Sequence, residues 1–278
     1  MQEHNNFQTL IDIGAAISQS ITEHDGIPYI VMPTNYTINN IEYLMDWPSR
    51  KRASVKTTDV ESFICYTSKH SLGDKGTAIY ARVDTEKNSF ELVAIIDDNP
   101  LLPDNTVAAW REHRCCFTAK TSIEFDRWMG SCKKTFTQTE FATFLEDNLP
   151  DIASMDGMPT GADILNMALG FEANAEKRLR SKINLQSGGV RFEFVDDEDK
   201  DTRTRMDVFQ RFTIGIPVFY GSSSAYPIEA RLKYREKDGK VMFWYELIRP
   251  DRIFRAAVND EMDRVKKETT LTVFIGIP

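Results

Sequence analysis

The chain has 278 residues, 41% of them hydrophobic and 27% charged, which is too apolar for a disordered polymer and long enough to bury a sizeable core. Its formal net charge of −8 repels phosphate backbones and so disfavours a nucleic-acid-binding surface spread over the whole molecule. No apolar run approaches the roughly 18 residues that span a bilayer, and Cys65, Cys115, Cys116 and Cys132 lack the paired spacing of a zinc or redox site.

The polar opening Met1-Gln2-Glu3-His4-Asn5-Asn6 has neither the basic nor the apolar region of a signal peptide, so the cytoplasm is expected, with idle reduced thiols. The first basic cluster, Arg50, Lys51 and Arg52, reads as a solvated loop. From Ile79 to Ile96 the pattern is a β-hairpin. Ile79, Ala81 and Val83 alternate with polar residues, as do Phe90, Leu92 and Ala94 after a polar turn. If Asp84 faces Ser89, Arg82 lands opposite Glu91, and the charges support the register that gathers the apolar side chains on one face.

A strand is expected near 107–119, with Cys115 and Cys116 on opposite faces. It would put Arg111 and His113 on one side and Trp110, Glu112 and Arg114 on the other. A structural Glu112–Arg114 network is the favoured reading over a catalytic His113. Two capping boxes then mark helix starts, because a threonine oxygen accepts an orphan N–H while the acid three residues on reaches back. Thr137 with Glu140 opens a helix over 138–147 carrying Phe141, Phe144 and Leu145. Thr160 with Asp163 opens a longer one over 160–182, with Ile164, Ala168, Phe171, Ala175 and Leu179 at helical spacing. The segment from Asn148-Leu149-Pro150-Asp151 to Met158-Pro159 is the expected boundary between two intimate lobes, 1–156 and 157–278.

At the end of the longer helix, Lys177, Arg178, Arg180 and Lys182 form a second basic cluster. Its plain reading is a solvated helix end. With Arg50, Lys51 and Arg52 it forms the candidate nucleic-acid patch. The acidic run Asp196-Asp197-Glu198-Asp199, followed by Asp201, lacks the glycine and terminal glutamate of a calcium loop and reads as a hairpin tip. Gly221-Ser222-Ser223-Ser224 lacks the spacing of a nucleophile elbow and reads as a turn.

Further on, Ile228, Ala230, Leu232 and Tyr234 alternate with charged residues, and Asp238-Gly239 supplies a two-residue turn into a return strand from Val241 to Ile248. Pairing Lys237 with Lys240 puts Phe243, Tyr245 and Leu247 opposite Tyr234, Leu232 and Ala230, one wholly apolar face. The other face carries Met242, Trp244 and Ile248 beside Lys233 and Arg231. That mixture is too apolar for open solvent and too charged for a deep core. It is the candidate interface, to be covered either by a second copy or by another segment such as the terminal strand.

Pro250 suits the first turn of a helix over 250–267, whose stripe is Phe254, Val258, Met262 and Val265 and whose end carries Lys266 and Lys267. A terminal strand follows from Leu271 to Ile277. Ile275-Gly276-Ile277-Pro278 echoes Ile214-Gly215-Ile216-Pro217, through shared strand-ending composition or because the two strands are spatially related. The fold class expected from these elements is α+β, with antiparallel, hairpin-rich sheets packed against several helices.

Catalytic, cofactor and metal sites are all absent from this reading. His4, His24, His70 and His113 stand alone, and no phosphate-cradling loop is present. Glu146, Asp147 and Asp151 come nearest to a carboxylate pocket for a divalent cation, at a place where a helix end with solvated acids is the simpler expectation.

Several stretches nonetheless share a pattern: Trp110-Arg-Glu-His113-Arg114, Trp128, Phe141-Ala-Thr-Phe-Leu-Glu-Asp-Asn148, Ile214-Gly-Ile-Pro-Val-Phe219, Ala230-Arg-Leu-Lys-Tyr-Arg235, and Phe243-Trp-Tyr-Glu-Leu247 with Arg249-Pro250. From about residue 60 onward the chain resembles the YfdQ family of tailed-phage and prophage proteins. The resemblance implies a phage-encoded, non-virion protein acting in the bacterial cytoplasm, in a family described as a domain of unknown function. It supplies no catalytic residues. The expectation is a non-enzymatic accessory protein that partners itself as a homo-oligomer, with no cofactor and no membrane. Alternatives are a nucleic-acid-associated protein, a metal-dependent hydrolase acting through the three acids, and a binder that inhibits or sequesters a host factor.

Overall fold

The computed structural model describes residues 21–24, 27–30, 42–100, 109–173, 178–184, 190–195, 203–237 and 240–278. Its contacts divide the chain at Lys51, into Met1–Lys51 and Arg52–Pro278. The first unit, by itself, holds an antiparallel pair of β1 (Ile21–His24) and β2 (Ile27–Ile30), with Ile21 facing Ile30. A 3-10 turn at Glu42–Leu44 follows, whose Glu42 carboxylate accepts from the N–H and the hydroxyl of Ser49 at 2.7 and 2.6 Å.

The second unit is α+β. Its elements run β3 (Ala53–Thr57), α1 (Val60–His70), β4 (Ala78–Asp84), β5 (Ser89–Ile95), β6 (His113–Thr118), α2 (Ile123–Ser131), α3 (Gln138–Asp147), a 3-10 turn at Leu149–Asp151 and α4 (Gly161–Ala173). There follow β7 (Arg178–Asn184), β8 (Val190–Val195), β9 (Arg203–Val208), β10 (Arg211–Ile216), β11 (Tyr226–Lys237), β12 (Lys240–Leu247), α5 (Pro250–Thr269) and β13 (Val273–Ile275). Three sheets result, in the orders β13-β4-β5-β6-β3, β7-β8-β9 and β10-β11-β12.

Both predicted hairpins form in the predicted register. Asp84 faces Ser89 and Arg82 faces Glu91, and Lys237 faces Lys240 with Tyr234 on Phe243 and Leu232 on Tyr245. The turn residues Asp238 and Gly239 lie outside the described residues. In the first hairpin the Asp84 carboxylate accepts from the backbone N–H groups of Glu86 and Lys87, each at 3.0 Å, which folds the polar turn back on its strand. Parallel strands close both edges of this sheet, β3 on β6 and β13 on β4.

Core side chains come from every layer. Phe63 of α1, Phe90 and Leu92 of β5, Trp128 of α2, Phe141 of α3, Phe243 and Tyr245 of β12 and Phe254 of α5 are essentially inaccessible and belong to one cluster. Phe141 stacks on Phe243 with ring centres 5.3 Å apart. The Tyr245 hydroxyl, in the middle of this apolar layer, donates to the Trp128 carbonyl at 2.7 Å, so its burial leaves no orphan donor. Backbone bridges join Thr121 to Phe219, Phe136 to Phe243 and Ile152 to Ile214, tying the α2–α3 region to the β10–β12 sheet.

Three expectations change. The helix expected over 160–182 is properly capped, with Thr160 and Asp163 bonding reciprocally, but it is described only to Ala173 and the chain is a strand again by Arg178. Arg178-Leu-Arg-Ser-Lys-Ile-Asn184 alternates with period two, and this overrides the helical spacing of Leu179, while Ala175 lies outside the described residues. The strand expected near 107–119 begins only at His113, because Arg111 adopts φ +56° and breaks the extended run. The terminal strand is shorter than 271–277, and since β13 and β10 belong to different sheets, the Ile-Gly-Ile-Pro echo does not mark neighbouring strands.

Candidate functional site

An aromatic-floored concavity lies where the end of β6 meets the turn after β10. Phe219 bridges to Thr121, and the Tyr220 N–H donates to the Lys120 carbonyl at 2.9 Å. Gly221, at φ +77°, takes the left-handed backbone that lets this turn reverse. Beneath it is a cavity of about 230 Å³. Its apolar floor is Phe90, Phe117 and Phe219, buried rings whose centres lie 5.8 to 6.4 Å apart in tilted and edge-to-face contacts. One wall is the start of α1, where the Asp59 carboxylate caps the helix by accepting from the Ser62 N–H at 2.7 Å.

Residues of α5 form the opposite wall. Arg264 donates to Glu61 of α1 and to Glu268 of its own helix, the latter at 2.8 Å, and so clamps the two helices together. Glu261, one turn earlier, also lines the cavity. Its Oε2 is buried without a hydrogen-bond partner. Burial pushes this carboxyl above its ordinary value; Arg264 pulls it down, while Asp260 and Glu268 push it up. Asp260 is otherwise engaged, accepting from the Tyr226 hydroxyl at 2.7 Å.

The predicted interface residues are brought together as the hairpin register required. Met242, Trp244 and Ile248 are half-buried, and Arg231 and Lys233 are exposed beside them. The Trp244 indole N–H lies 3.5 Å from a Glu246 oxygen on the same face. The terminal strand, one alternative for covering this face, is instead hydrogen-bonded to β4.

The other candidate residues scatter. Glu146 and Asp147 are exposed at the end of α3, while the Asp151 carboxylate accepts from the Trp128 indole at 2.7 Å. Among the described residues no group of three or more histidine, cysteine or acidic side chains is placed to hold a metal. Arg52 pairs with Glu112 at 3.2 Å. Arg114 donates to the Arg111 carbonyl at 2.9 Å, so the expected Glu112–Arg114 network is replaced by these two contacts. His113 is buried, with Nε2 2.9 Å from the Tyr66 hydroxyl.

Arg178, Arg180 and Lys182 lie on strand β7 instead of a helix end, and Lys177 is outside the described residues, as is the acidic run 196–201. Arg50 and Lys51 belong to the first unit. All four cysteines are free, and burial pushes the Cys115 thiol up to about 11, far from reactive. No helix among the described residues is long and apolar enough to cross a membrane.

Sequence reasoning missed the cavity entirely. Its walls come from segments around 60, 90, 117, 220 and 261, so no local spacing marks it. The one local signal was the Gly221 turn. A family model described as "Uncharacterized conserved protein (DUF2303)" matches residues 2–278 of the chain. No curated protein matches it.

Proposed function

The chain belongs to the DUF2303 family of uncharacterized conserved proteins, and we propose that it is a non-enzymatic accessory protein of the YfdQ kind, encoded by a phage or prophage and working as a homo-oligomer in the bacterial cytoplasm. The phage setting rests on the sequence resemblance from about residue 60 onward. Self-assembly rests on one observation, the outer face of the β11–β12 hairpin. There Met242, Trp244 and Ile248 keep part of their apolar surface in water beside the exposed cations Arg231 and Lys233.

Tryptophan is favoured at interface centres because it offers broad contact area for few lost rotamers, and arginine because its planar guanidinium makes several hydrogen bonds and stacks on rings. The opposite face of the same hairpin is filled by Phe141 and Trp128, so the sheet cannot rotate to hide Trp244 instead. Native mass spectrometry and light scattering test the reading. The wild type is expected to be an oligomer at micromolar concentration, and Trp244→Glu to lower the assembled mass while leaving a folded protomer. A monomeric wild type defeats the proposal whatever the variant does.

A further inference from the structure

We propose that the outer edge of β13 pairs antiparallel with β13 of a second copy of the chain, Phe274 on Phe274, so that two five-stranded sheets continue into one another. The contact is separate from the Trp244 face and does not rest on it. The Gly276 N–H donates to the Ala81 carbonyl of β4 at 2.9 Å, and the Thr272 N–H donates to the Asp74 carboxylate at 2.8 Å. Backbone groups of a strand alternate sides, so Val273 and Ile275 direct theirs away from β4. Since β13 ends the strand order, no strand among the described residues lies beyond it. Its outward N–H and C=O groups are what a sheet edge offers to another strand.

The character of the edge selects the occupant. Residues 269–278 carry no charge, and the side chains of Phe274 and Ile275 are 49% and 78% exposed. Sheet edges are ordinarily guarded by a lysine, a proline or a bulge. Lys56 serves so on the opposite edge, β3, whereas none of the three interrupts Val273–Ile275. Two such edges also match each other. A two-fold axis at Phe274 sets Val273 opposite Ile275 in both directions, and every outward group of the two residues is then bonded. Phe274 meets its own equivalent at the closely spaced position without hydrogen bonds, next to Tyr80, whose ring centre is 5.6 Å away in the same protomer. Pairing on β3 would instead bring Lys56 to an uncharged edge and lose this symmetry. So short a pairing covers less than the ~1,000 Å² of a lasting interface, which makes a covalent trap its proper test.

In a Cys65→Ser background, which removes the exposed native thiol, Phe274→Cys and Ile275→Cys are oxidised and the covalent dimer is followed on non-reducing gels. The register puts the two copies of position 274 within disulfide reach, and separates the two copies of position 275 by more than the ~7 Å that a disulfide spans. Phe274→Cys is therefore expected to cross-link about tenfold or more faster, although position 275 is the more exposed. Adding Ile275→Pro, which removes an outward N–H and no bond to β4, should slow the trap by a similar factor. Hydrogen exchange on the wild type gives a reading free of any variant. The Val273 and Ile275 amides should exchange more slowly at about 500 μM than at about 10 μM protein. Three results overturn the proposal: cross-linking at 275 as fast as at 274, a trap unaffected by Ile275→Pro, or exchange of both amides at the open rate at every concentration. All three readouts concern β13 alone, so their failure leaves the Trp244 contact standing, and a failed Trp244 contact leaves them unchanged.

Discussion

Glu261 shows how a single residue can work against the fold that contains it. Its folded carboxyl titrates above the unfolded value, chiefly through burial, with Asp260 and Glu268 reinforcing and Arg264 opposing. The folded state therefore holds this proton more tightly than the unfolded chain. The stability it contributes is full below the ordinary glutamate range and is lost as pH rises through the raised folded value. Glu261→Gln, which cannot ionise, should then melt above the wild type at neutral pH, with the difference closing on acidification below the unfolded glutamate range. Thermal unfolding of both proteins across that range checks it, and identical melting at neutral pH contradicts it. None of this is legible locally. Asp151 reads from its neighbours Glu146 and Asp147 as one more solvated acid at a helix end, yet its carboxylate has a partner in the Trp128 indole, 23 residues earlier in the chain. His113 likewise finds Tyr66, 47 residues earlier. Side-chain partners at such separations leave no spacing to read, whereas Phe90, Leu92 and Phe243 announce their burial through alternation alone.

Elements were legible wherever two independent signals agreed. At α3 the threonine-to-glutamate spacing coincided with an apolar stripe, and the capping box is present. Thr137 Oγ accepts from the Glu140 N–H at 3.2 Å, and the Glu140 carboxylate accepts from the Thr137 N–H at 2.8 Å. Those bonds hold the Glu140 carboxyl below its ordinary value. Its contribution is therefore present above the unfolded range and lost as pH falls. Because α3 carries Phe141 and Leu145 into the core, losing the cap should destabilise the whole unit and not fray one end alone. Thr137→Ala is expected to cost about 1 kcal/mol, read as a lower denaturation midpoint with unchanged slope. The β11–β12 register was legible for the same reason, since turn chemistry and the apolar face demanded the same pairing. At α4 the signals disagreed. The cap at Thr160 was sound, but the stripe was extended past Ala173 into Arg178–Asn184, where alternation had already changed the period and three-stranded pairing with β8 and β9 decides the conformation.

At the scale of the molecule, the sequence suggests two intimate lobes meeting near 156, and Arg52–Pro278 forms one unit of contacts. Pairings that cross the suggested boundary explain why. Strand β13 completes the sheet of β4 and β5 nearly 200 residues upstream, with Val273 on Ile79 and Phe274 on Tyr80, and it buries Leu271 on the way in. The Trp128 carbonyl needs the Tyr245 hydroxyl, and Phe136 and Ile152 bridge to Phe243 and Ile214. Local patterns cannot reveal such closures, because strand alternation specifies a face and not the strand that will meet it. Cutting between Asp156 and Gly157 should therefore produce two pieces that each expose a half-core. Residues 52–156 would present Phe90, Trp128 and Phe141 without their covers, and residues 157–278 would present Phe243, Tyr245 and Phe254. Each alone is expected to lack near-ultraviolet circular dichroism and a cooperative melt, while an equimolar mixture regains both. The regain should be slow and should quicken with concentration, since two separate chains must meet before these pairings can form. A cooperative melt from either piece alone would restore the boundary near 156 as a true division of the fold.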